Sequence, residues 1–217
     1  MNNMELARFN MVEQQIRPWD VLDANVLDLM KKVKREHFVP VDKQPLAFMD
    51  VEIPLGYDAK MWSPKLEARA LQALKLKLTD RVLEIGTGSG YLTALMSRMA
   101  RHVTSVELVQ ELSARAARTL AALHYDNIAL EVGDASQGWG KERYDAIILT
   151  GSVPLPPESF YERLNVGGRL FAIVGDAPAM KAMLVTCVAP GTLETTTLFE
   201  TCVAPLTNAP QPQRFIF

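Results

Sequence analysis

The chain has 217 residues, of which 48% are hydrophobic and 22% charged, and these values suit one globular domain with a buried core. The net charge of -2 and the sequence pI near 6.0 exclude a global positive field, so we expect no nucleic-acid or anionic-membrane partner. No stretch approaches the roughly 18 apolar residues of a membrane span, and MNNMELARFN lacks the features of a signal peptide, so we expect a cytoplasmic protein.

The N-terminal third, residues 1–78, predicts a cap of helices and extended segments. Apolar periodicity indicates amphipathic helices over about 4–16 and 21–35, with the basic run KKVKREH as the solvated face and end of the second. The proline-punctuated stretch 38–64 is expected to be extended, and a third helix is expected in KLEARALQAL. We predict that this cap packs on the rest of the domain, at the end where ligands of open α/β sheets bind.

From residue 79 onward, short β-rich runs alternate with helical patterns, which predicts an α/β fold with a doubly wound, mostly parallel sheet. The runs AIIL and LFAIV are continuously apolar, as expected for strands buried on both faces. Asn165, Gly167 and Gly168 are expected to end a helix at Leu164 and to begin the next strand. We therefore predict a single domain over 1–217, in which residues 79–217 form the α/β core beneath the cap.

After Gly175 the pattern changes to the segments MLVTCVAP, TLETTTLFETCVAPL and RFIF, which predict antiparallel strands at one edge of the sheet. Cys187 and Cys202 lie in these segments, and we interpret both as reduced, buried, small hydrophobic side chains. The three histidines are scattered without the paired spacing of metal ligands, so no metal site is expected.

Residues 82–95 read VLEIGTGSGYLTAL, an apolar strand that runs into a glycine-rich turn and then a helix. The dinucleotide fingerprint G-x-G-x-x-G has a third glycine that lets the helix pack closely. Here Gly86, Gly88 and Gly90 make G-x-G-x-G, and Tyr91 stands at the position of that third glycine. No Gly-Lys-Ser/Thr follows, so the turn also differs from a phosphate-binding P-loop.

Acidic residues lie at or near the ends of three successive predicted strands. Glu84 is either a surface acid or a carboxylate inside the crevice, where it would repel a pyrophosphate and attract a cation such as S-adenosylmethionine. Glu107 follows the turn by about 20 residues, where a carboxylate can accept hydrogen bonds from both ribose hydroxyls, although the NAD fingerprint has the same acid. Asp134 is expected within reach of the adenine amine, with Leu108 and Ala135 as apolar contacts to the ring.

The segments VLEIGTGSGY, SVEL, VGDAS, DAIILT and LNVGGRL resemble the successive motifs of class I S-adenosylmethionine-dependent methyltransferases. The chain is similar in particular to the protein-L-isoaspartate O-methyltransferase family, whose cap and late segments correspond to MVEQQIRPWDVLD (11–23), EHFVP (36–40), AFMDVEIPLG (47–56) and CVAPL (202–206). This resemblance covers nearly the whole chain. It implies a Rossmann-like fold, S-adenosyl-L-methionine as cofactor, and cofactor contacts that include Thr87 of the glycine turn.

The acceptor segment of the family, I-S-Q/A-P, is not carried over. Aligned on Pro64, the chain reads MWSP, so Trp62 stands where the family has its hydroxyl and Ser63 stands one position later. An indole that projects into the pocket would narrow the space for an acceptor, or its N–H would donate a hydrogen bond. The alternatives are that Trp62 folds back into the core of the cap, and that Ser63 either caps the next helix or acts as a displaced functional hydroxyl.

Three functions follow from these observations. The first is methyl transfer to the carboxylate of isoaspartyl residues in damaged protein, as the resemblance implies. The second is methylation of another acceptor, for example a small molecule, because MWSP reshapes the pocket. The third is a cofactor-binding module without catalysis that uses the cap as a partner surface. The intact glycine turn and the acids favour an enzyme, and the acceptor segment alone separates the first function from the second.

Overall fold

The computed structural model describes residues 3–212 of the chain. The N-terminal elements are α1 (Asn3–Asn10), a π-helix (Met11–Ile16), a 3-10 helix (Arg17–Trp19), α2 (Ala24–Lys32), 3-10 helices at Arg35–His37 and Val41–Leu46, a hairpin of β1 (Ile53–Gly56) and β2 (Ala59–Met61), and α3 (Pro64–Leu74). The helix predicted over 21–35 is too long. It begins after Asp23, whose carboxylate accepts hydrogen bonds from two α2 amides, and it ends at Lys32 because Val33 is extended.

The remaining elements form the α/β part of the chain. They are β3 (Arg81–Ile85), α4 (Tyr91–Ser97), β4 (His102–Glu107), α5 (Gln110–Ala122), β5 (Ile128–Val132), β6 (Tyr144–Val153), α6 (Glu158–Tyr161), β7 (Leu164–Val174), β8 (Met180–Ala189) and β9 (Thr192–Thr201). The sheet has seven strands in the order β5-β4-β3-β6-β7-β8-β9. The strands from β5 to β7 in this order are parallel, and β8 and β9 are antiparallel. The predicted fold class is confirmed.

Both faces of the sheet are buried along its central strands β6 and β7, which explains their continuously apolar runs. Alternate residues of one strand contribute to two separate clusters, so Ala146 and Ile148 of β6 pack on one face, and Ile147 and Leu149 pack on the other. The first cluster also contains the buried side chains of the π-helix, α2 and α3. The cap is therefore part of the hydrophobic core on one face of the sheet.

Two expectations for the second half of the chain are wrong. Leu164 begins β7 and pairs with Tyr144 of β6, so the preceding helix already ends at Tyr161. Cys187 is buried in β8, but Cys202 is exposed because it follows the last residue of β9, the edge strand. The predicted strand RFIF lies outside the described residues.

The basic run KKVKREH is only partly a solvated face. Arg35 is completely buried and pairs with Glu67 of α3, and Glu36 is buried and pairs with Arg8 of α1. The expectation failed at these two positions because α2 ends before them, and the 3-10 turn directs both side chains inward. These buried ion pairs join α1 and α3 to the turn between them.

The strand order reverses at β3, since the chain proceeds from β3 to β4 and β5 on one side and returns with β6 on the other. In open α/β sheets, ligands bind beyond the carboxyl ends of the strands at such a reversal. No helix among residues 3–212 has the length and apolarity needed to cross a bilayer. The same residues contain no group of three His, Cys, Asp or Glu side chains arranged to hold a metal ion.

Candidate active site

A cavity of about 410 Å³ opens at the carboxyl ends of β3, β4 and β6. Its wall combines the glycine turn with the segments that follow β4 and β5, the cap hairpin and the loop after β9. All of the predicted cofactor residues except Gly90 line it: Glu84, Gly86, Thr87, Gly88, Glu107, Leu108, Asp134 and Ala135. The fold therefore brings together groups that are far apart in the chain.

Glycine is required at position 86 of the turn because the backbone there lies close to Thr150 of β6. Gly86 has a φ of +97°, and a Cβ at this position would lie 2.1 Å from Oγ1 of Thr150. That hydroxyl is itself held 2.9 Å from the carbonyl oxygen of Ile85 and 2.8 Å from that of Gly86. Gly90 precedes α4 with a φ of +80° and packs against α5, so it shapes the turn from outside the cavity. The turn is thus held close to β6.

Glu107 lies at the end of β4 with 7% of its surface exposed. One carboxylate oxygen accepts a hydrogen bond from the Gly88 amide at 2.8 Å, and the other accepts one from the Val109 amide at 3.1 Å. Each carboxylate oxygen has capacity for a further hydrogen bond. Glu107 is therefore oriented by the turn and can still receive two hydroxyl donors, as a ribose diol requires.

Asp134 is fixed two residues beyond the end of β5. Its Oδ1 accepts a hydrogen bond from the Ser136 amide at 2.9 Å, and its Oδ2 accepts one from the Asn208 side chain at 2.8 Å. These hydrogen bonds hold the pKa of Asp134 below its usual value. Leu108 is 40% exposed and Ala135 is buried, and both line the cavity. The arrangement suits a planar ring bordered by an acceptor.

Glu84 is completely buried, so the alternative of a surface acid is wrong. Its Oε2 accepts hydrogen bonds from the hydroxyls of Ser105 and Thr93, and Ser105 in turn lies 2.6 Å from the Thr87 hydroxyl. Its Oε1 has no hydrogen-bond partner among the described residues. Burial raises the pKa of Glu84 to about 8, against the effect of the two hydroxyl donors. Glu84 is thus mainly a neutral acid at pH 7, and a bound cation would favour its ionisation.

We expect Glu84→Gln to stabilise the protein above neutral pH. The pKa of about 8 in the fold exceeds the ordinary value of 4.5 that the group has in the unfolded chain, so the folded state binds more protons and loses stability as the pH rises between those values. Replacing the acid with a neutral amide removes this loss of about 3 kcal/mol, which corresponds to about 6–12 °C in Tm at pH 8. Thermal unfolding of both proteins from pH 5 to 9 tests this. Parallel pH profiles would contradict it.

The acceptor side of the cavity is formed by the cap. Trp62 is 5% exposed, lines the cavity, and packs its ring edge-on against Phe171 of β7 with ring centroids 6.3 Å apart. Ser63 occupies the N-cap position of α3 but makes no side-chain capping hydrogen bond, and it is not among the residues that line the cavity. Arg35 donates a hydrogen bond to the Trp62 carbonyl oxygen at 2.6 Å. Trp62 thus belongs both to the core and to the cavity wall.

Several residues of the site carried no sequence signal. Glu67 lines the cavity and is buried against Arg35, and burial raises its pKa while the guanidinium lowers it. Thr150 supports the turn, and Asn208 supports Asp134. The segment CVAPL was noted only for its family resemblance, and the structure places its residues Ala204, Pro205 and Leu206 on the cavity wall.

Comparisons with known proteins agree with this geometry. The family model described as protein-L-isoaspartate(D-aspartate) O-methyltransferase matches residues 7–211. A protein-L-isoaspartate O-methyltransferase of Petrotoga mobilis is 38% identical over 186 residues, which cover 85% of this chain and 87% of that protein. One from Rhodopseudomonas palustris is 40% identical over 178 residues, which cover 81% and 82%.

A crystal structure from Plasmodium falciparum, described by the same enzyme name and in complex with S-adenosyl-L-homocysteine, superimposes with a TM-score of 0.78. The match covers 92% of this chain and 98% of that one, and its 19% sequence identity shows a shared fold. The family match and the two relatives extend over the cap as well as the sheet. The chain therefore belongs to the protein-L-isoaspartate(D-aspartate) O-methyltransferase family.

Proposed function

We propose that this protein uses S-adenosylmethionine to methylate a carboxylate of isoaspartyl residues in other proteins or peptides. The observation that supports this most directly is the shared cavity. Glu107 and the glycine turn form one part of its wall, and Met61 and Trp62 of the cap form another, so cofactor and acceptor can meet within about 410 Å³. Family membership favours this activity over the two alternatives, which are a binding module without catalysis and a methyltransferase that acts on another acceptor.

The described residues fit the cofactor. Glu107 would accept hydrogen bonds from the ribose hydroxyls, because both of its oxygens keep acceptor capacity at the cavity wall. Asp134 would accept one from the adenine amine, with Leu108 and Ala135 against the ring. The turn at Gly86 and Gly88 allows close approach of the ligand to the backbone.

The reaction needs little chemistry from the protein. Bound S-adenosylmethionine supplies a methyl group activated by the sulfonium. An acceptor carboxylate has a pKa of about 4, so it is ionised at neutral pH and needs no general base. Its oxygen forms the new C–O bond as the C–S bond breaks, and the two opposite charges are neutralised. The residues of the cavity therefore act by positioning the reactants and excluding water.

We assign the acceptor wall to Trp62 and not to Ser63. Trp62 lines the cavity, whereas Ser63 does not, and the backbone carbonyl of Ser63 begins α3 by accepting hydrogen bonds from the amides of Leu66 and Glu67. Loss of the family's hydroxyl removes one hydrogen bond to the acceptor, a cost of about 1 kcal/mol that other contacts can offset. We also propose a cytoplasmic location. The thiols of Cys187 and Cys202 are free, as is usual in a reducing compartment, and this supports the location.

Transfer of labelled methyl groups to an isoaspartyl peptide and to its normal aspartyl twin tests this function. We expect methylation of the isoaspartyl peptide and at most trace labelling of the twin. Binding of S-adenosylhomocysteine, measured separately by calorimetry, provides the control for an intact cofactor site. Cofactor binding without isoaspartyl methylation would instead favour a different acceptor.

A further inference from the structure

The charge on the cavity wall is strongly asymmetric. Among the described residues that line it, those within 3–212, Lys60 is the one basic side chain. The acidic side chains of the wall are Glu52, Asp58, Glu67, Glu84, Glu107 and Asp134. Glu84 is mainly neutral at pH 7 because burial raises its pKa to about 8, and Glu67 pairs with Arg35, so the other four carry the negative charge of the wall. Such a wall favours a cationic ligand, but it opposes an acceptor that enters as a carboxylate, because like charges repel in a partly desolvated site. An anionic acceptor therefore needs a cation on the wall.

Lys60 is placed to supply that cation. It lies in β2, two residues before Trp62, and its neighbours Ala59 and Met61 also line the cavity. Met61 is buried, whereas Lys60 is exposed. Lys60 and its partner Glu52 both line the cavity, so this exposed ion pair lies at its edge, two residues before the segment that lacks the family's hydroxyl.

The present partner of Lys60 is easily exchanged. Its Nζ lies 3.2 Å from a carboxylate oxygen of Glu52, and the two side chains are 47% and 31% exposed. Ion pairs that are exposed to this degree contribute little, because water screens them and two flexible side chains must be ordered. Lys60 can leave Glu52 for another carboxylate at small cost, and Glu52 competes with any such ligand.

We propose that Lys60 binds the carboxylate of the acceptor by exchanging Glu52 for it. This inference rests on the proposed function and names the residue that selects an anionic acceptor. One oxygen of the carboxylate pairs with Nζ, and the other is left for methyl transfer. The product ester is neutral, so it loses the attraction to Lys60, and Glu52 can recapture the ammonium group. The same exchange thus favours binding of the acid and release of the ester.

The test measures binding without turnover. An isoaspartyl peptide and its isoasparaginyl twin, which carries a neutral amide at the same position, are titrated into the protein saturated with S-adenosylhomocysteine. We expect wild type to prefer the acid about tenfold, as a charge-assisted contact predicts. Lys60→Met should abolish the preference, Lys60→Arg should retain it, and Glu52→Gln should increase it by removing the competitor.

The control is Lys43→Met. Nζ of Lys43 lies 3.0 Å from a carboxylate oxygen of Asp42 in an exposed ion pair, and neither residue lines the cavity, so this change should leave the preference unchanged. Equal preference in wild type and Lys60→Met, or no preference in wild type, would overturn the inference. Methylation of the same peptide by wild type is scored separately. Binding that depends on Lys60 without methylation contradicts the proposed function, whereas methylation that is indifferent to Lys60 contradicts only the inference.

Discussion

Gly86→Ala is expected to lower the affinity for S-adenosylhomocysteine by at least about 100-fold. The φ of +97° lies outside the left-handed region that other residues tolerate, and the new methyl group would lie 2.1 Å from the Thr150 hydroxyl oxygen. That hydroxyl cannot retreat without losing its contacts to the carbonyls of Ile85 and Gly86. The turn must therefore shift and carry the Gly88 amide away from Glu107.

Gly140→Ala is the matched control, since Gly140 also has a positive φ, of +57°, but nothing lies within 4 Å of an added Cβ. It should bind the ligand like wild type. The double variant Gly86→Ala/Thr150→Ala removes the hydroxyl from the clash and should recover part of the affinity. Calorimetric titration of the four proteins, each checked for a cooperative thermal transition, measures the effect. An affinity of Gly86→Ala within threefold of wild type would refute our account of the turn.

Trp62→Ser is expected to destabilise the fold and widen the acceptor pocket. Truncating a buried aromatic side chain costs about 3 kcal/mol or more, so Tm should fall by about 6–12 °C for a chain of this size. The lost packing includes the edge-on ring contact with Phe171. Removing the indole from the wall should raise kcat/KM about tenfold for isoaspartyl peptides with bulky neighbouring residues, and less for peptides with glycine neighbours.

Phe171→Leu separates these two effects, because it disturbs the same aromatic contact without changing a residue that lines the cavity. It should lower Tm and leave the ratio of kcat/KM values for the two kinds of peptide unchanged. If Phe171→Leu changed that ratio as much as Trp62→Ser does, a loosened core, and not the cavity wall, would control acceptor choice. An unchanged ratio in Trp62→Ser would remove Trp62 from the acceptor site.

The sequence did not decide which ionisable groups of the site are buried, and the reason is the same in each case. Arg35 reads as the end of a solvated helix, but it is buried beneath the Trp62 carbonyl 27 residues away in the chain. Glu84 reads equally well as a surface acid, yet two hydroxyls from β4 and α4 hold it inside the fold. The partners that allow a charge or an acid to be buried come from other elements, so the local pattern does not reveal them.

The sequence by itself determined the glycine turn, the order of strands and helices beyond it, and the positions of Glu107 and Asp134. These features depend on local periodicity and on the rule that parallel strands present their carboxyl ends at one edge. Only the tertiary structure decided that Asn208 reaches Asp134 across 74 residues, that Trp62 packs on Phe171, and that Lys60 lies on the cavity wall. Those contacts depend on packing between distant segments, which short-range sequence patterns do not encode.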